Sequence, residues 1–207
     1  MCSAKETDVA QAHLLAAAGA FFTIIGFIIY NVRDGRINSA SWLLWVIGDA
    51  LEAGTYFVMT GEDLLKNVVP IVFAIGSFLT FFIALIRMRF GYPDRVDQLI
   101  MSIDLTITAG WFGKIYSAAM ANIMLVATEL ISFLPLYRGI LRGEDKEYVS
   151  PWVFWAIGDL FFLATVLSLT HTTEEMVYPI VQALAHLVVV VCVVVHAINH
   201  QQEARTL

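Results

Sequence analysis

The sequence predicts an all-α membrane protein: seven transmembrane helices as 3+1+3, two parallel three-helix repeats joined by a linker helix. Three observations point there. The chain has 207 residues, 59% of them hydrophobic and 14% charged, with a mean hydropathy of +0.75. A soluble domain sits near 45–50% apolar and about 25% charged, so the excess here must cover outward faces that meet lipid rather than water. Apolar runs long enough to span a bilayer, roughly 17–25 residues, recur along the whole chain, and one motif occurs twice in the same register.

The runs place helix 1 at 11–31, helix 2 at 39–60, helix 3 at 67–89, helix 4 at 96–113, helix 5 at 117–139, helix 6 at 149–169 and helix 7 at 175–198. Turn and charge clusters separate them, among them Arg33-Asp34-Gly35-Arg36, Gly61-Glu62-Asp63, Gly91-Tyr92-Pro93-Asp94 and Arg142-Gly143-Glu144-Asp145-Lys146. Residues 1–10 form a short N-terminus, expected outside the cytoplasm, with neither the basic start nor the cleavage site of a signal peptide. The first repeat covers 11–89, the linker 96–113, the second repeat 117–198, and 199–207 is a cytoplasmic tail.

Cations support the odd helix count. Seven spans put Arg33, Arg36, Arg87, Arg89, Arg95, Arg138, Arg142, Lys146 and Arg205 on one side, leaving Lys5, Lys66 and Lys114 on the other: nine of the 12 cations against three. The positive-inside rule then predicts a cytoplasmic C-terminus and an N-terminus outside. The net charge of −6 and the lack of a basic patch exclude nucleic acid as a partner. Cys2 and Cys192 form no metal or redox motif.

The repeat is visible residue by residue. From Ser41 helix 2 reads SWLLWVIGDALEAGTYFVMT, and from Pro151 helix 6 reads PWVFWAIGDLFFLATVLSLT. At an offset of 110, Trp42, Trp45, Ile47-Gly48-Asp49 and Thr60 meet Trp152, Trp155, Ile157-Gly158-Asp159 and Thr170. At an offset of 109, Pro70 in helix 3 meets Pro179 in helix 7. Tyr30 and Tyr137 end helices 1 and 5 in similar positions. Two units separated by one helix share their orientation, the parallel type of transporter repeat, with its site expected near the midplane between the halves.

Trp-x-x-Gly-Asp in the second helix of each unit (Trp45 to Asp49, Trp155 to Asp159) resembles the PQ-loop and SWEET superfamily, and is closer to its amino acid carriers than to SWEETs. The resemblance covers most of the chain. The Pro-Gln pair that names the family corresponds to Pro135-Leu136 before Tyr137 in helix 5 and to Ile28-Ile29 before Tyr30 in helix 1. The resemblance implies alternating access with Pro135 as a hinge, where the missing N–H permits a kink.

Ionisable side chains at bilayer depth are functional candidates. Asp49, Asp104, Glu129, Asp159 and His186 lie near the centres of their spans, and Glu52 shares a helix face with Asp49. No Lys or Arg lies deep in a span beyond Lys114 near the end of helix 4, so these acids point to protons or a cationic or zwitterionic ligand. His186 and Gln182, one turn apart on helix 7, join Asp49, Glu52, Glu129 and Asp159 as the expected substrate and proton site. Trp45, Trp155, Tyr30 and Tyr137 are the expected gate or pocket aromatics, although packing accounts for tryptophans equally well. Asp104, on the linker, is expected to be structural. Trp42 and Trp152 are expected as interface anchors.

The leading expectation is a transporter of a small polar solute, an amino acid or a sugar, coupled to protons. The alternative is a receptor or scaffold on the same fold, as in the KDEL receptor, since fold does not fix function. An enzyme is not expected, for the sequence has no metal-binding histidine set, Ser-His arrangement or phosphate loop; helix 7 has no lysine for a retinal Schiff base. No cofactor or metal is expected, and homo-oligomerisation is open. Because carriers of this family in eukaryotes run longer, the resemblance favours a bacterial inner membrane.

Overall fold

The computed structural model describes residues 2–33, 39–87, 95–143, 147–169 and 171–206, with the side chains of 2–8, 39–41, 135 and 200–206 outside the description. The described residues form seven α-helices: α1 (Cys2–Val32), α2 (Ser39–Met59), α3 (Leu64–Ile86), α4 (Arg95–Phe112), α5 (Ala118–Arg142), α6 (Val149–Ser168) and α7 (Thr173–Thr206). Five are long and apolar enough to cross a membrane: Val9–Val32, Leu64–Ile86, Ala118–Arg142, Val149–Ser168 and Thr173–Asn199. Helices α2 and α4 are not in that set. Asp49 and Glu52 dilute α2, and Arg95, Asp97 and Asp104 dilute α4.

Helices α1 and α7 extend beyond the apolar runs that betray them. Residues 2–10 continue α1 and residues 199–206 continue α7. Polar residues such as Lys5, Glu6 and Glu203 are good helix formers, so loss of hydropathy does not end a helix.

Local chemistry sets the other boundaries. Asp63 caps α3, its carboxylate accepting from the Leu65 N–H at 2.9 Å. Ser117 caps α5 by accepting from the Met120 N–H at 3.1 Å. Gly143, at φ 72°, ends α5 in the left-handed conformation that lacks a steric cost only for glycine. Pro70 and Pro179 each stand seven residues into their helix. Each lacks the N–H that would bond four residues back, and at Pro179 the released carbonyl is that of Glu175. The Tyr56 hydroxyl takes it up at 2.9 Å.

The packing is cyclic. Helix α3 lies between α1 and α2, and α7 lies between α5 and α6. Two seams close the ring, α1 against α6 and α2 against α5, while α4 rests on α2 and α5. Side-chain contacts obey the same exchange. Trp42 meets Trp155 at 6.3 Å between ring centres, and Trp45 meets Trp152 at 6.2 Å. Outward positions are apolar, including Leu14, Phe21, Phe78, Phe82, Leu184 and Val191.

Candidate functional site

Inside the ring, side chains from α1, α2, α3, α5, α6 and α7 enclose a narrow cavity of about 20 Å³, room for roughly one water molecule. Its walls are mostly aromatic: Phe27, Trp42, Trp45, Phe73, Phe133, Trp152 and Trp155. Its polar groups are Asp49, Ser77, Glu129, Gln182 and His186. Among the described residues, no lysine or arginine lines it.

Two short polar pairs hold the acids of the duplicated motif. The Ser77 hydroxyl donates to Asp49, and the His186 Nδ1 lies 2.7 Å from Asp159 Oδ2. Offsets of 110 and 109 relate Asp49 to Asp159 and Ser77 to His186, so these are one contact made twice with different partners. The His186 ring also stacks on Phe73, 5.5 Å between centres and 17° between planes. Gln182, which stands where α3 has Phe73, donates from Nε2 to Glu129 Oε2 at 2.5 Å.

A second, smaller space of about 10 Å³ lies against the same acids on the α4 side. Gly48, Asp49, Glu52, Asp104 and Glu129 line it. Oxygens of Asp49, Glu52 and Glu129 all lie within 4.8 Å of one another, near enough to hold a cation among them. Glu52 is 0% exposed, and its carboxyl group meets no described donor other than the carboxyl group of Glu129, with which it shares a hydrogen bond. Three carboxyl groups this close cannot stay uncompensated, so a proton or a positive ligand has to sit among them. Asp104 accepts from the Thr128 hydroxyl at 2.5 Å and ties α4 to α5.

The structure thus brings Asp49, Glu129, Gln182, His186, Trp45 and Trp155 together around one cavity. Glu52 faces the adjoining space, and Asp159 stands behind His186. Tyr30 lies one layer out, packed on Trp42 and Trp155. Tyr137 lines neither space and donates to the Ala185 carbonyl at 3.1 Å. Pro135 falls within α5, but its side chain lies outside the described residues. Trp42 and Trp152 do not anchor an interface: at 3% and 1% exposure they are part of the cavity wall.

Two polar contacts lie at the helix ends outside the cavity, partly made by residues that sequence reasoning passed over. Where α1 ends and α2 and α6 begin, Glu147 accepts from the Trp152 Nε1 at 3.0 Å and from the Tyr30 hydroxyl at 3.3 Å. Trp42 Nε1 donates to that same hydroxyl at 3.4 Å. Where α3 and α7 begin, Lys66 Nζ meets Glu175 Oε2 at 2.5 Å, both side chains buried. The signal for this pair was present, since the 109 offset that aligns Pro70 with Pro179 also aligns Lys66 with Glu175.

No protein-family model matches the chain, and neither curated proteins nor solved structures give a match. Any functional reading therefore rests on the residues themselves.

Proposed function

We propose that the chain is a membrane transporter of a small polar solute, an amino acid or a sugar, coupled to protons and working by alternating access. In this reading all seven helices span the membrane as two parallel units, α1–α3 and α5–α7, with α4 as the linker. The unit exchange seen in the Trp42–Trp155 and Trp45–Trp152 contacts supports it. So does the charge bias, which puts the C-terminus in the cytoplasm and suits a bacterial inner membrane. The proposal places the chain beside the PQ-loop carriers.

One observation carries the proposal: a cavity between the two units that holds Asp49, Glu129, Gln182 and His186 in an aromatic wall, with the Tyr30–Glu147 and Lys66–Glu175 contacts at opposite helix ends as candidate closures. A site at the repeat interface with a closure on each side is what alternating access requires. Asp49, Glu129 and Asp159 supply the carboxyl groups for proton exchange. Neither α2 nor α4 needs to be apolar throughout, because their acids face protein rather than lipid.

The test uses purified protein in liposomes with a trapped pH dye, screened with amino acids and sugars. Solute-dependent proton flux is expected, and Asp49→Asn is expected to abolish it while leaving the protein folded. Saturable solute binding without flux would replace this reading with a receptor.

A further inference from the structure

We infer that the ligand enters as a primary ammonium: an organic amine without a carboxylate, its nitrogen seated among Asp49, Glu52 and Glu129 and its body against the tryptophan-lined wall. This rests on the proposed solute site but departs from the amino acid or sugar named for it, giving the site a small amine instead. Three independent observations lead there.

The first is a shortage of donors. Oδ1 of Asp159 is buried without a hydrogen bond from a described group, and the buried Glu52 carboxyl group is met by no described donor other than the carboxyl group of Glu129. The Tyr178 hydroxyl is buried and makes no hydrogen bond to these oxygens, and neither does Trp155 Nε1. Trp155 Nε1 faces α1, where a Cβ built on Gly26 would lie 2.5 Å from it. A ligand that brings further acceptors, as a sugar hydroxyl set or a carboxylate does, would deepen the shortage. A ligand that brings N–H donors and positive charge removes it.

The second is spacing. Acceptors about 2.8 Å from one nitrogen and spread tetrahedrally stand about 4.6 Å apart. The oxygens of Asp49, Glu52 and Glu129 lie within 4.8 Å of one another. That distance is an upper limit, and Glu52 and Glu129 already share a hydrogen bond, so an ammonium that replaces the shared proton can reach all three. A quaternary ammonium has no N–H to put in its place.

The third is the wall. Trp45, Trp152, Trp155 and Phe133 present ring faces and edges to the same cavity that Asp49 and Glu129 line. Aromatic walls attract cations and cover an apolar body. No lysine or arginine is present to receive a ligand carboxylate. The space of about 20 Å³ admits an ammonium group alone, so an organic tail seats only once the rings part.

The experiment measures binding to the detergent-solubilised full chain by tryptophan fluorescence and calorimetry. The probes are phenethylammonium, its neutral counterpart 2-phenylethanol, the zwitterion phenylalanine, tetramethylammonium, and sodium and calcium chlorides. Phenethylammonium is expected to saturate, with the other three organic probes at least about tenfold weaker, equivalent to about 1.4 kcal/mol. Glu52→Gln is expected to weaken phenethylammonium by about tenfold or more. Should that variant fail to fold, the wild-type ranking of probes still decides. Equal binding of phenylethanol or phenylalanine overturns the inference, as does absence of amine binding. Calcium or sodium binding that Glu52→Gln removes, with no amine binding, also overturns it and makes the cluster a metal site. Amine binding without flux leaves the inference standing and removes only transport. Flux of sugars or amino acids without amine binding does the reverse.

Discussion

The two seams of the ring are built from equivalent helices and carry the same motif, yet they are packed in opposite ways. In the α1–α6 seam Gly158 presses on α1: a Cβ there would lie 2.4 Å from Thr23 Oγ1 and 3.2 Å from the Gly19 carbonyl oxygen. In the α2–α5 seam the equivalent Gly48 has open space where its Cβ would be. That seam is joined by polar groups instead. Asn122 donates to the Glu52 carbonyl and to Thr55, each at 3.1 Å, and Trp45 donates to Ser132 at 3.2 Å. The same Ile-Gly-Asp therefore serves close backbone approach in one copy and leaves a polar gap in the other. Close approach through small residues strengthens helix association. A polar gap is poorer packing, and it is where the carboxyl groups of Asp49, Glu52 and Glu129 collect.

The contrast can be tested by ranked substitutions, read as thermal stability in detergent. The largest effect is expected outside both seams. Lys66→Met strands the buried Glu175 carboxylate and should cost about 3–5 kcal/mol, loosening both seams together. Adding Glu175→Leu to that variant should recover much of the loss. Next comes Gly158→Ala, which must move Thr23 or the α1 backbone and should cost about 1–3 kcal/mol. Tyr56→Phe leaves the carbonyl released by Pro179 without its donor and should cost about 1 kcal/mol. The smallest effect is Gly48→Ala, expected within about 0.5 kcal/mol of zero or stabilising, since alanine is the better helix former. Equal losses from Gly158→Ala and Gly48→Ala would erase the contrast between the seams.

Much of the candidate site was legible because membrane chemistry makes polar residues conspicuous. Asp49, Glu129, Gln182 and His186 stood out as costly groups in apolar runs, and the structure gathers them around one cavity. The register also exposed the differences that matter: Phe73 against Gln182, Ser77 against His186. The rest was hidden for specific reasons. Lys66 was counted as a loop cation because burial of its ammonium depends on a partner 109 residues away. Glu147 directly follows the charged turn after helix 5 and was not singled out. Its role comes from Tyr30 and Trp152 meeting over it. Helix α2, expected as a span over 39–60, falls outside the set of helices apolar enough to cross a membrane because Asp49 and Glu52 lower its hydropathy, and both side chains are buried.

The Lys66–Glu175 pair carries a lesson about ancestry. The two residues hold the same register position in α3 and α7, and they touch each other. Two separate, identical half-chains related by a two-fold axis would place the same residue at both positions. Two lysines or two glutamates would then face one another in a buried place. Opposite charges at a self-contacting position are available only to a single polypeptide whose halves have been free to diverge. A single chain thus permits a charged clasp between these matching positions of α3 and α7, which a homodimer of identical half-length subunits could not form.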